Sequence, residues 1–289
     1  MSESSIKTHH RVCHLCEAMC GVVIQTNGSQ VVDIRGDQND PLSRGHVCPK
    51  AVSLKDIHED PDRLRKPLKR VLNDGGEFQH VEIEWNEALD LAASAIASTI
   101  QKYGVDAVGA YFGNPSVHNY GMMTHQRNLF RHIRTRNRFS ATSVDQLPHH
   151  LVSLWCYGHM LLQPVPDVDR THYFLMLGAN PLASNGSMWT VPDVRRRLKA
   201  LKARGGKLVV IDPRRTETAE LASEHLFIRP GSDAAFLLAV IHVLFRDDLV
   251  SLGLVSGFTD GLDDVGTAVS SLTPVWAAER TGIVASDIE

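Results

Sequence analysis

The stretch CHLCEAMCGVVIQTNGSQVVDI, residues 13–34, decides the fold at the amino terminus of this chain. It joins a CxxCxxxC run to two apolar segments rich in valine and isoleucine, Gly21 to Thr26 and Gln30 to Ile34. Asn27-Gly28 between them is a strong signal for a type I′ turn, which links two antiparallel strands into a hairpin. We therefore expect Cys20 at the entrance of a hairpin.

A fourth cysteine, Cys48, follows a loop marked by Asp40-Pro41 and Gly45. Three cysteines in one short run, with a fourth from elsewhere, is a ligand pattern of four-iron four-sulfur clusters, and it assigns Cys13, Cys16, Cys20 and Cys48. Two alternatives stay open. Structural zinc also takes four cysteines, although it usually pairs two CxxC knuckles. Disulfides need an oxidising compartment, and the opening residues do not resemble a secretory signal.

Composition narrows the class of protein. The chain has 289 residues, 43% hydrophobic and 22% charged, which suits two domains or one large one with a sizeable core. Its net charge of -3 and pI near 6.6 predict no nucleic-acid binding, because phosphate recognition needs a basic surface. No stretch approaches the roughly 18–20 apolar residues that cross a bilayer. We expect no direct membrane insertion and a cytoplasmic location.

The rest of the chain alternates helices and strands. Asn86 predicts the N-cap of a helix that ends before Gly104, and a strand is predicted at 107–112. Further strands are predicted at 173–177, 208–211 and 226–228, with helices at about 192–204 and 233–245. Such alternation predicts an α/β fold with a mainly parallel sheet. The basic run from Arg195 to Arg204 is expected to face water.

Small and polar residues follow each strand of the predicted sheet, in the loops Gly178 to Pro181, Asp212 to Thr216 and Pro230 to Asp233. Ligands of open α/β sheets bind beyond the carboxyl ends of the strands. Glycine permits close approach, arginine binds phosphate, and a carboxylate accepts hydrogen bonds from a base or ribose. Ordinary turns and caps are the alternative. Neither GxGxxG nor GxxxxGK[ST] occurs, which points to a different nucleotide-bearing cofactor.

A series of motifs in a fixed order carries a family resemblance. They are CHLCEAMCG (13–21), GHVCPK (45–50), DPDRLRKPLKR (60–70), IEWNEALDLAA (83–93), YFGN (111–114), GANP (178–181), VVIDPRRTETA (209–219) and RPGSDAA (229–235). The chain resembles the amino-terminal part of the molybdopterin oxidoreductase superfamily, the group of formate dehydrogenase, nitrate reductase and dimethyl sulfoxide reductase. The resemblance implies a molybdenum or tungsten bis(pterin guanine dinucleotide) oxidoreductase with an electron-relaying 4Fe-4S cluster.

The resemblance also implies roles for individual residues. Lys50 matches the lysine that lies between cluster and pterin in relatives. Dinucleotide contacts are implied in the loops that hold Gly113, Asn114, Gly178, Asn180, Asp212, Arg214, Thr216, Gly231 and Asp233. Asp212 and Asp233 match guanine or ribose contacts, with helix capping as the alternative for Asp233.

The ligand of the metal is expected in the segment 138–145. Matching by position indicates Ser140 first, with Ser143 and Asp145 behind it, or else a non-protein ligand. Ala141 follows Ser140 where formate dehydrogenases carry a histidine, so formate oxidation is not expected. Cys156 is expected to be a buried structural thiol. The nearby candidates for proton transfer are His149, His150 and His159.

The resemblance divides the chain into an iron–sulfur domain at 1–57, part of an α/β domain at 58–139, and part of a Rossmann-like, pterin dinucleotide-binding domain at 140–289. Members of the superfamily are usually more than twice as long. We therefore expect a missing carboxyl-terminal domain or a second chain, a small-molecule substrate and an electron-transfer partner protein. Two other functions stay open: a non-redox tungsten hydratase like the enzyme acting on acetylene, and a redox-silent scaffold subunit.

Overall fold

The structure, a computed structural model, describes residues 6–113, 115–186 and 189–289 and has a mixed α/β fold. The chain divides into two compact units, Met1–Val165 with Met188–Pro192, and Pro166–Ser187 with Asp193–Glu289. The expected division at 1–57, 58–139 and 140–289 stays a prediction.

The first unit opens with an antiparallel sheet of β1 (Lys7–Val12), β2 (Gly21–Asn27) and β3 (Gln30–Gly36), in that spatial order. The predicted hairpin is confirmed as the pair β2 and β3. Its turn differs from the expected type, because Asn27 pairs with Gln30 and leaves Gly28 and Ser29 in the loop. Gly28 has a φ of 60° whereas Ser29 has no positive φ, and glycine first in a two-residue loop is typical of type II′.

Strand β1 was not predicted from the sequence. Its sequence KTHHRV is polar and almost entirely exposed, so it lacks the apolar alternation by which strands are recognised. It forms because its backbone pairs along nearly the whole of β2, from Lys7 opposite Thr26 to Val12 opposite Gly21.

Two short helices and a hairpin follow: α1 (Pro49–Val52), α2 (Leu54–Glu59), β4 (Leu68–Leu72) and β5 (Phe78–Glu82). Helix α3 (Trp85–Tyr103) ends at Gly104 as predicted, where the φ of 87° suits glycine. Its start was predicted wrongly, because Glu84 and not Asn86 occupies the N-cap. The amide of Ala88 already donates to the Glu84 carbonyl, which draws Asn86 into the first turn.

The first unit ends with a parallel two-stranded pair and three helices. The elements in order are β6 (Ala110–Phe112), α4 (Pro115–His118), α5 (Tyr120–Ile133), β7 (Arg138–Ser140) and α6 (Leu147–Tyr157). The strand expected at 107–112 is shorter than predicted, because Val105–Ala107 forms a 3-10 turn. Phe112 lies opposite Ser140, so β6 and β7 end together.

The second unit contains a parallel sheet, β8 (Tyr173–Leu177), β9 (Lys207–Ile211) and β10 (Glu224–Leu226), with β9 in the centre. Strands β8 and β9 lie where the pattern predicts, whereas β10 begins two residues before the predicted start. Helices α7 (Pro181–Ser184) and α8 (Val194–Ala203) follow β8, and α9 (Glu217–Leu221) follows β9. The remaining helices are α10 (Asp233–Arg246), α11 (Leu262–Val269), α12 (Pro274–Thr281) and α13 (Ala285–Ile288).

The core of the second unit lies around β9. Its residues 208–211 are at most 3% exposed, the continuous apolar run expected of a central parallel strand covered on both faces. Ile211 packs with residues of α10, α12 and α13, including Phe236, Ala277 and Ile288. This packing holds the carboxyl ends of the strands, where the candidate loops begin.

Candidate metal centre and cofactor loops

The four cysteines of the predicted cluster lie at one end of the amino-terminal sheet. Cys13 follows β1 and Cys20 precedes β2, and the Cys13 amide donates a 2.8 Å hydrogen bond to the Cys20 carbonyl. Cys48 immediately precedes α1. Cys13 and Cys20 are buried in an apolar cluster against which Cys16 and Cys48 pack. The fold therefore brings together all four side chains that the spacing singled out.

The thiols influence one another electrostatically. Burial, followed by repulsion from Cys13, Cys16 and Cys48, raises the pKa of Cys20 to about 11. Burial also raises the pKa of Cys13, with a further contribution from Cys48 and Cys16. Four neighbouring thiolates are stable together only around positive charge, which iron or another metal supplies. All four cysteines are free rather than disulfide-bonded, so this donor set fits a thiolate-ligated centre.

The described side chains form no ready-made site for a single metal ion. In the described part of the chain, no three histidine, cysteine, aspartate or glutamate side chains are placed to hold one metal ion. A structural zinc ion requires four ligands about 2.0–2.3 Å from one point. A four-iron cluster differs in that each thiolate binds its own iron.

A hydrogen-bonded network fixes the loop that returns the chain to Cys48. The Asp40 carboxylate accepts 2.6 Å hydrogen bonds from both the amide and the hydroxyl of Ser43. The Ser43 oxygen in turn accepts a 3.1 Å bond from the amide of Gly21, the residue after Cys20. The hydroxyl bond and then the amide bond lower the pKa of Asp40. The network links the return loop to the start of β2.

Two glycines allow the return loop to approach the sheet. A Cβ at Gly21 would lie 2.6 Å from the Cβ of Asp40, and one at Gly36 would overlap the carbonyl of Gly45. Gly45 also has a φ of 82°, which favours glycine.

Lys50 is the second residue of α1, two positions after Cys48, and its side chain is exposed. Its role between cluster and pterin stays a prediction.

The loop from Cys13 to Cys20, called the ligand loop below, lies close to a distant part of the first unit. Glu17, between Cys16 and Cys20, has Oε1 3.8 Å from Nε2 of His118 at the end of α4. That nitrogen is buried and has no hydrogen-bond partner among the described residues. Sequence reasoning missed both residues, because nothing local marks a contact between positions about a hundred residues apart.

The predicted residues after β6 and β7 lie at the same end of that parallel pair. Gly113 directly follows β6, and Asn114 lies outside the described residues. Ser140 ends β7 and caps a 3-10 turn, its hydroxyl accepting a 3.3 Å bond from the Thr142 amide. The two other candidates for the metal ligand, Ser143 and Asp145, are exposed.

The expectation that Cys156 is buried is wrong, because it lies on an exposed part of α6. Two of the nearby histidines have local partners. His150 Nδ1 lies 2.9 Å from the Met160 carbonyl oxygen, and His159 Nδ1 accepts a bond from the Leu161 amide. His149 is exposed.

In the second unit, Asn180 joins the loops after β8 and β9. Its side-chain oxygen Oδ1 accepts a 2.6 Å hydrogen bond from the Thr218 hydroxyl, and its side-chain nitrogen Nδ2 donates a 2.8 Å hydrogen bond to the Glu217 carboxylate. Gly178, just after β8, has a φ of 60° and donates to the Ile211 carbonyl. Thr216 caps α9 through its hydroxyl. Gly178, Asn180 and Thr216 therefore lie together at one sheet edge.

Asp212 shapes the loop after β9. It is 7% exposed, and Oδ1 accepts a 2.8 Å bond from the amide of Arg214. Its backbone is tied to β10, because the Asp212 amide donates to the Leu226 carbonyl. Asp212 thus makes a local turn, the alternative that the sequence left open beside ligand binding.

Two arginines, Arg195 and Arg214, lie close enough to Glu217 at this sheet edge to affect its carboxylate. The pKa of Glu217 is lowered first by the Asn180 amide, then by its own backbone amide, and also by Arg214 and Arg195. Sequence reasoning missed Arg195 here, because it treated the basic run of α8 as a solvated surface. That expectation is wrong for Arg197, whose side chain is 12% exposed and bonded to Asp169, and for Arg204, which donates to the carbonyls of Val168 and Thr171.

The third loop precedes α10. Gly231 has a φ of 81°, Ser232 occupies the N-cap, and Asp233 is the first helical residue. The alternative that Asp233 caps the helix is therefore wrong. Its carboxylate stands at the positive end of the helix dipole, in the first turn.

Comparisons with known proteins identify two family models that match successive parts of the chain. A family model described as the molybdopterin oxidoreductase Fe4S4 domain matches residues 6–59, and one described as molybdopterin oxidoreductase matches residues 63–252. Both matches support a 4Fe-4S cluster and a molybdopterin cofactor.

Curated relatives are similar over nearly the whole chain. Formate dehydrogenase H of Escherichia coli is 28% identical over 285 residues, which are 96% of this chain and 38% of that protein. The periplasmic nitrate reductase of Desulfovibrio desulfuricans is 29% identical over 245 residues, 82% of this chain and 30% of that protein. The chain thus spans about two fifths or less of these relatives.

A solved structure is also similar. Acetylene hydratase from Pelobacter acetylenicus matches with a TM-score of 0.75 and 27% identity, covering 96% of this chain and 37% of that one. None of the helices within the described residues is long and apolar enough to cross a membrane. The family models cover most of the chain and agree with the motif order, so the chain belongs to the molybdopterin oxidoreductase family.

Proposed function

We propose that the chain is the amino-terminal portion of a molybdenum or tungsten enzyme that holds two pterin guanine dinucleotides and relays electrons through a 4Fe-4S cluster. The observation that carries the proposal is the convergence of Cys13, Cys16, Cys20 and Cys48 in one apolar cluster, within the segment matched by the Fe4S4 family model. When bound, the metal–pterin centre supplies two-electron exchange with a small-molecule substrate, and the cluster supplies one-electron transfer.

The residues of the first unit hold and tune the cluster in this proposal. The four cysteines are its ligands. The hydrogen bonds among Asp40, Ser43 and Gly21 hold the loop before Cys48 against the segment that carries Cys20. Lys50 would place a positive charge beside the cluster and on the path toward the pterin. Ser140, at the carboxyl end of β7, is the first candidate for the protein ligand of the metal, ahead of Ser143 and Asp145.

The sheet edge of the second unit is the proposed contact for one dinucleotide. Gly178 and Gly231 permit close backbone approach, while Asp212 and Asp233 are candidate partners for guanine or ribose. Arg214, with Arg195 at the same edge, supplies positive charge for phosphate groups. Asn180 and Thr216 shape the loops, and Gly113 and Asn114 belong to a further contact loop.

The rest of the assembly is inferred from the lengths of the relatives. A carboxyl-terminal domain or a second chain would complete the pterin site, and a redox partner protein would exchange electrons with the cluster. We propose a cytoplasmic location, although the nitrate reductase relative is named as periplasmic.

Anaerobic purification of the complete gene product tests this proposal, with iron, molybdenum and tungsten analysis and electron paramagnetic resonance of the cluster. We expect about four iron atoms per chain, and reduction of the cluster on addition of the correct substrate. A chain without iron after anaerobic preparation refutes the proposal.

The similarity to acetylene hydratase favours one second candidate, a non-redox hydratase with the same cofactors. Addition of water to a substrate without any electron acceptor, and without any change in the oxidation state of the cluster, would identify it.

A further inference from the structure

We propose that His118 is a positioning residue for the cluster: it holds Glu17, within the ligand loop, by a hydrogen bond from Nε2 and thereby tunes the reduction of the cluster. The inference rests on the proposed function, because it requires that the four cysteines bind a cluster. It adds a residue from α4 to a site that the motifs assign wholly to residues 13–50.

The first observation is the position of Glu17. It stands between Cys16 and Cys20, and its side chain is 33% exposed. A carboxylate on the ligand loop is the negative charge nearest in sequence to the predicted cluster. Adding an electron to the cluster adds negative charge, so a nearby carboxylate disfavours reduction.

The second observation is the state of His118. Its side chain is 17% exposed, and Nε2 is buried without a hydrogen-bond partner in the described ranges. A buried ring nitrogen that makes no hydrogen bond is unfavourable. Of the acidic side chains in the described residues, Glu17 is the one that pairs with this nitrogen, at 3.8 Å.

The remaining gap is small. A hydrogen bond from an imidazole nitrogen to a carboxylate is about 2.7–2.9 Å long when charge-assisted, so a shift of about 1 Å closes it. Glutamate has three rotatable side-chain bonds, and a change in one of them moves Oε1 by that amount. The N–H then withdraws negative charge from the carboxylate and fixes the ligand loop against α4.

The contact also has a structural consequence within the first unit. Helix α4 begins two residues after Gly113, in the loop that the resemblance assigns to the dinucleotide. A hydrogen bond from His118 to Glu17 therefore connects the ligand loop of the cluster to the segment that carries this second loop. We expect the two segments to be ordered together.

The test compares His118→Ala, His118→Gln and the control His132→Ala in anaerobically prepared, cluster-loaded protein. Gln places an amide donor near the position of Nε2 and should rescue the hydrogen bond. His132 suits the control because it is exposed on α5 and its Nδ1 lies 2.8 Å from the Asn128 carbonyl oxygen of its own helix. The readouts are iron content and the reduction potential of the cluster, neither of which requires turnover.

We expect His118→Ala to lower the equilibrium constant for cluster reduction about threefold, which corresponds to about 30 mV at 59 mV per tenfold for one electron. His118→Gln should stay close to wild type. Glu17→Gln should shift the potential in the positive direction, and adding His118→Ala to that variant should produce no further shift, because the partner charge is gone.

Three results overturn the inference while leaving the proposed function intact. The first is that His118→Ala has the same reduction potential as His132→Ala. The second is that the shift caused by His118→Ala persists in the Glu17→Gln background. The third is that neither His118 variant retains iron although wild type does. The last result would mean that the imidazole acts through packing rather than through a donated hydrogen bond. A wild-type chain without iron would instead overturn the proposed function, and this inference with it.

Discussion

Replacing Ser43 by alanine tests the network that joins the two ligand segments. Ser43 is 1% exposed, and its hydroxyl donates to Asp40 while accepting from the amide of Gly21. Alanine removes both bonds and leaves the Gly21 amide unsatisfied. A buried donor without a partner costs about 1–3 kcal/mol. The lost bond to Asp40 contributes less than the unsatisfied amide, because that carboxylate is partly exposed and water replaces the lost donor.

We therefore expect the first unit to lose about 2 kcal/mol of unfolding free energy in Ser43→Ala. With a urea dependence of about 2 kcal/mol per molar, the midpoint should fall by about 1 M. Urea titration of the cluster-loaded chain measures this, with the visible absorption of the cluster reporting on the first unit alone.

Ser29→Ala is the matched control, because Ser29 is an exposed residue of the β2–β3 turn. We expect its midpoint to stay within about 0.3 M of wild type, since surface substitutions usually change stability by less than about 0.5 kcal/mol. If Ser43→Ala and Ser29→Ala unfold at the same urea concentration, the hydrogen bonds of Ser43 do not stabilise the loops that carry the cysteines.

Three further predictions concern the ligands, the acid response and the second unit. Cys48→Ala should lower the iron content to three atoms per chain or fewer, measured by iron and protein assay, because it removes the ligand that comes from outside the CxxCxxxC run. Asp40→Asn should be less stable than wild type at neutral pH. The bonds from Ser43 lower the pKa of Asp40, so this stabilisation is lost as the pH falls through the lowered folded value, and the difference should shrink in acid. A difference in the urea midpoint that is independent of pH would contradict this. Leu198→Ala, at a side chain of α8 that is 0% exposed, should cost about 2–5 kcal/mol in the thermal or urea unfolding of the second unit and leave iron content unchanged.

Local patterns predicted most of the elements that carry the candidate site. The hairpin of β2 and β3, the end of α3 at Gly104, and strands β8 and β9 follow the apolar periodicity and the turn residues. Errors lie at boundaries, where backbone hydrogen bonds decide between neighbouring residues. The N-cap of α3 is Glu84 rather than Asn86, and the β2–β3 turn is centred one residue later than Asn27-Gly28.

The contacts of the side chains in the candidate site were harder to predict from the sequence than the helices and strands. The spacing of the cysteines and the resemblance predicted which side chains come together, but the polar loop residues were assigned by motif position, which does not show their local hydrogen bonds. Asp212 has a local hydrogen bond that explains its burial, and Asp233 is a first-turn residue rather than a cap. The side chains of the basic run have different partners, because successive residues of a helix point in different directions. Arg195 helps to lower the pKa of Glu217, and Arg197 bonds to Asp169. Arg204, which follows α8, donates to the Val168 carbonyl.

The sequence by itself determined the candidate cluster cysteines, the parallel character of the second sheet and the family resemblance, because these depend on spacing, periodicity and motif order along the chain. Only the tertiary structure decided which distant side chains meet: Glu17 with His118, Asn180 with Glu217 and Thr218, and Ser43 with the amide of Gly21. The physical reason is the range of the interactions. Helix, strand and turn preferences act over a few residues, whereas hydrogen bonds between distant segments form only after the packing of apolar cores has brought those segments together.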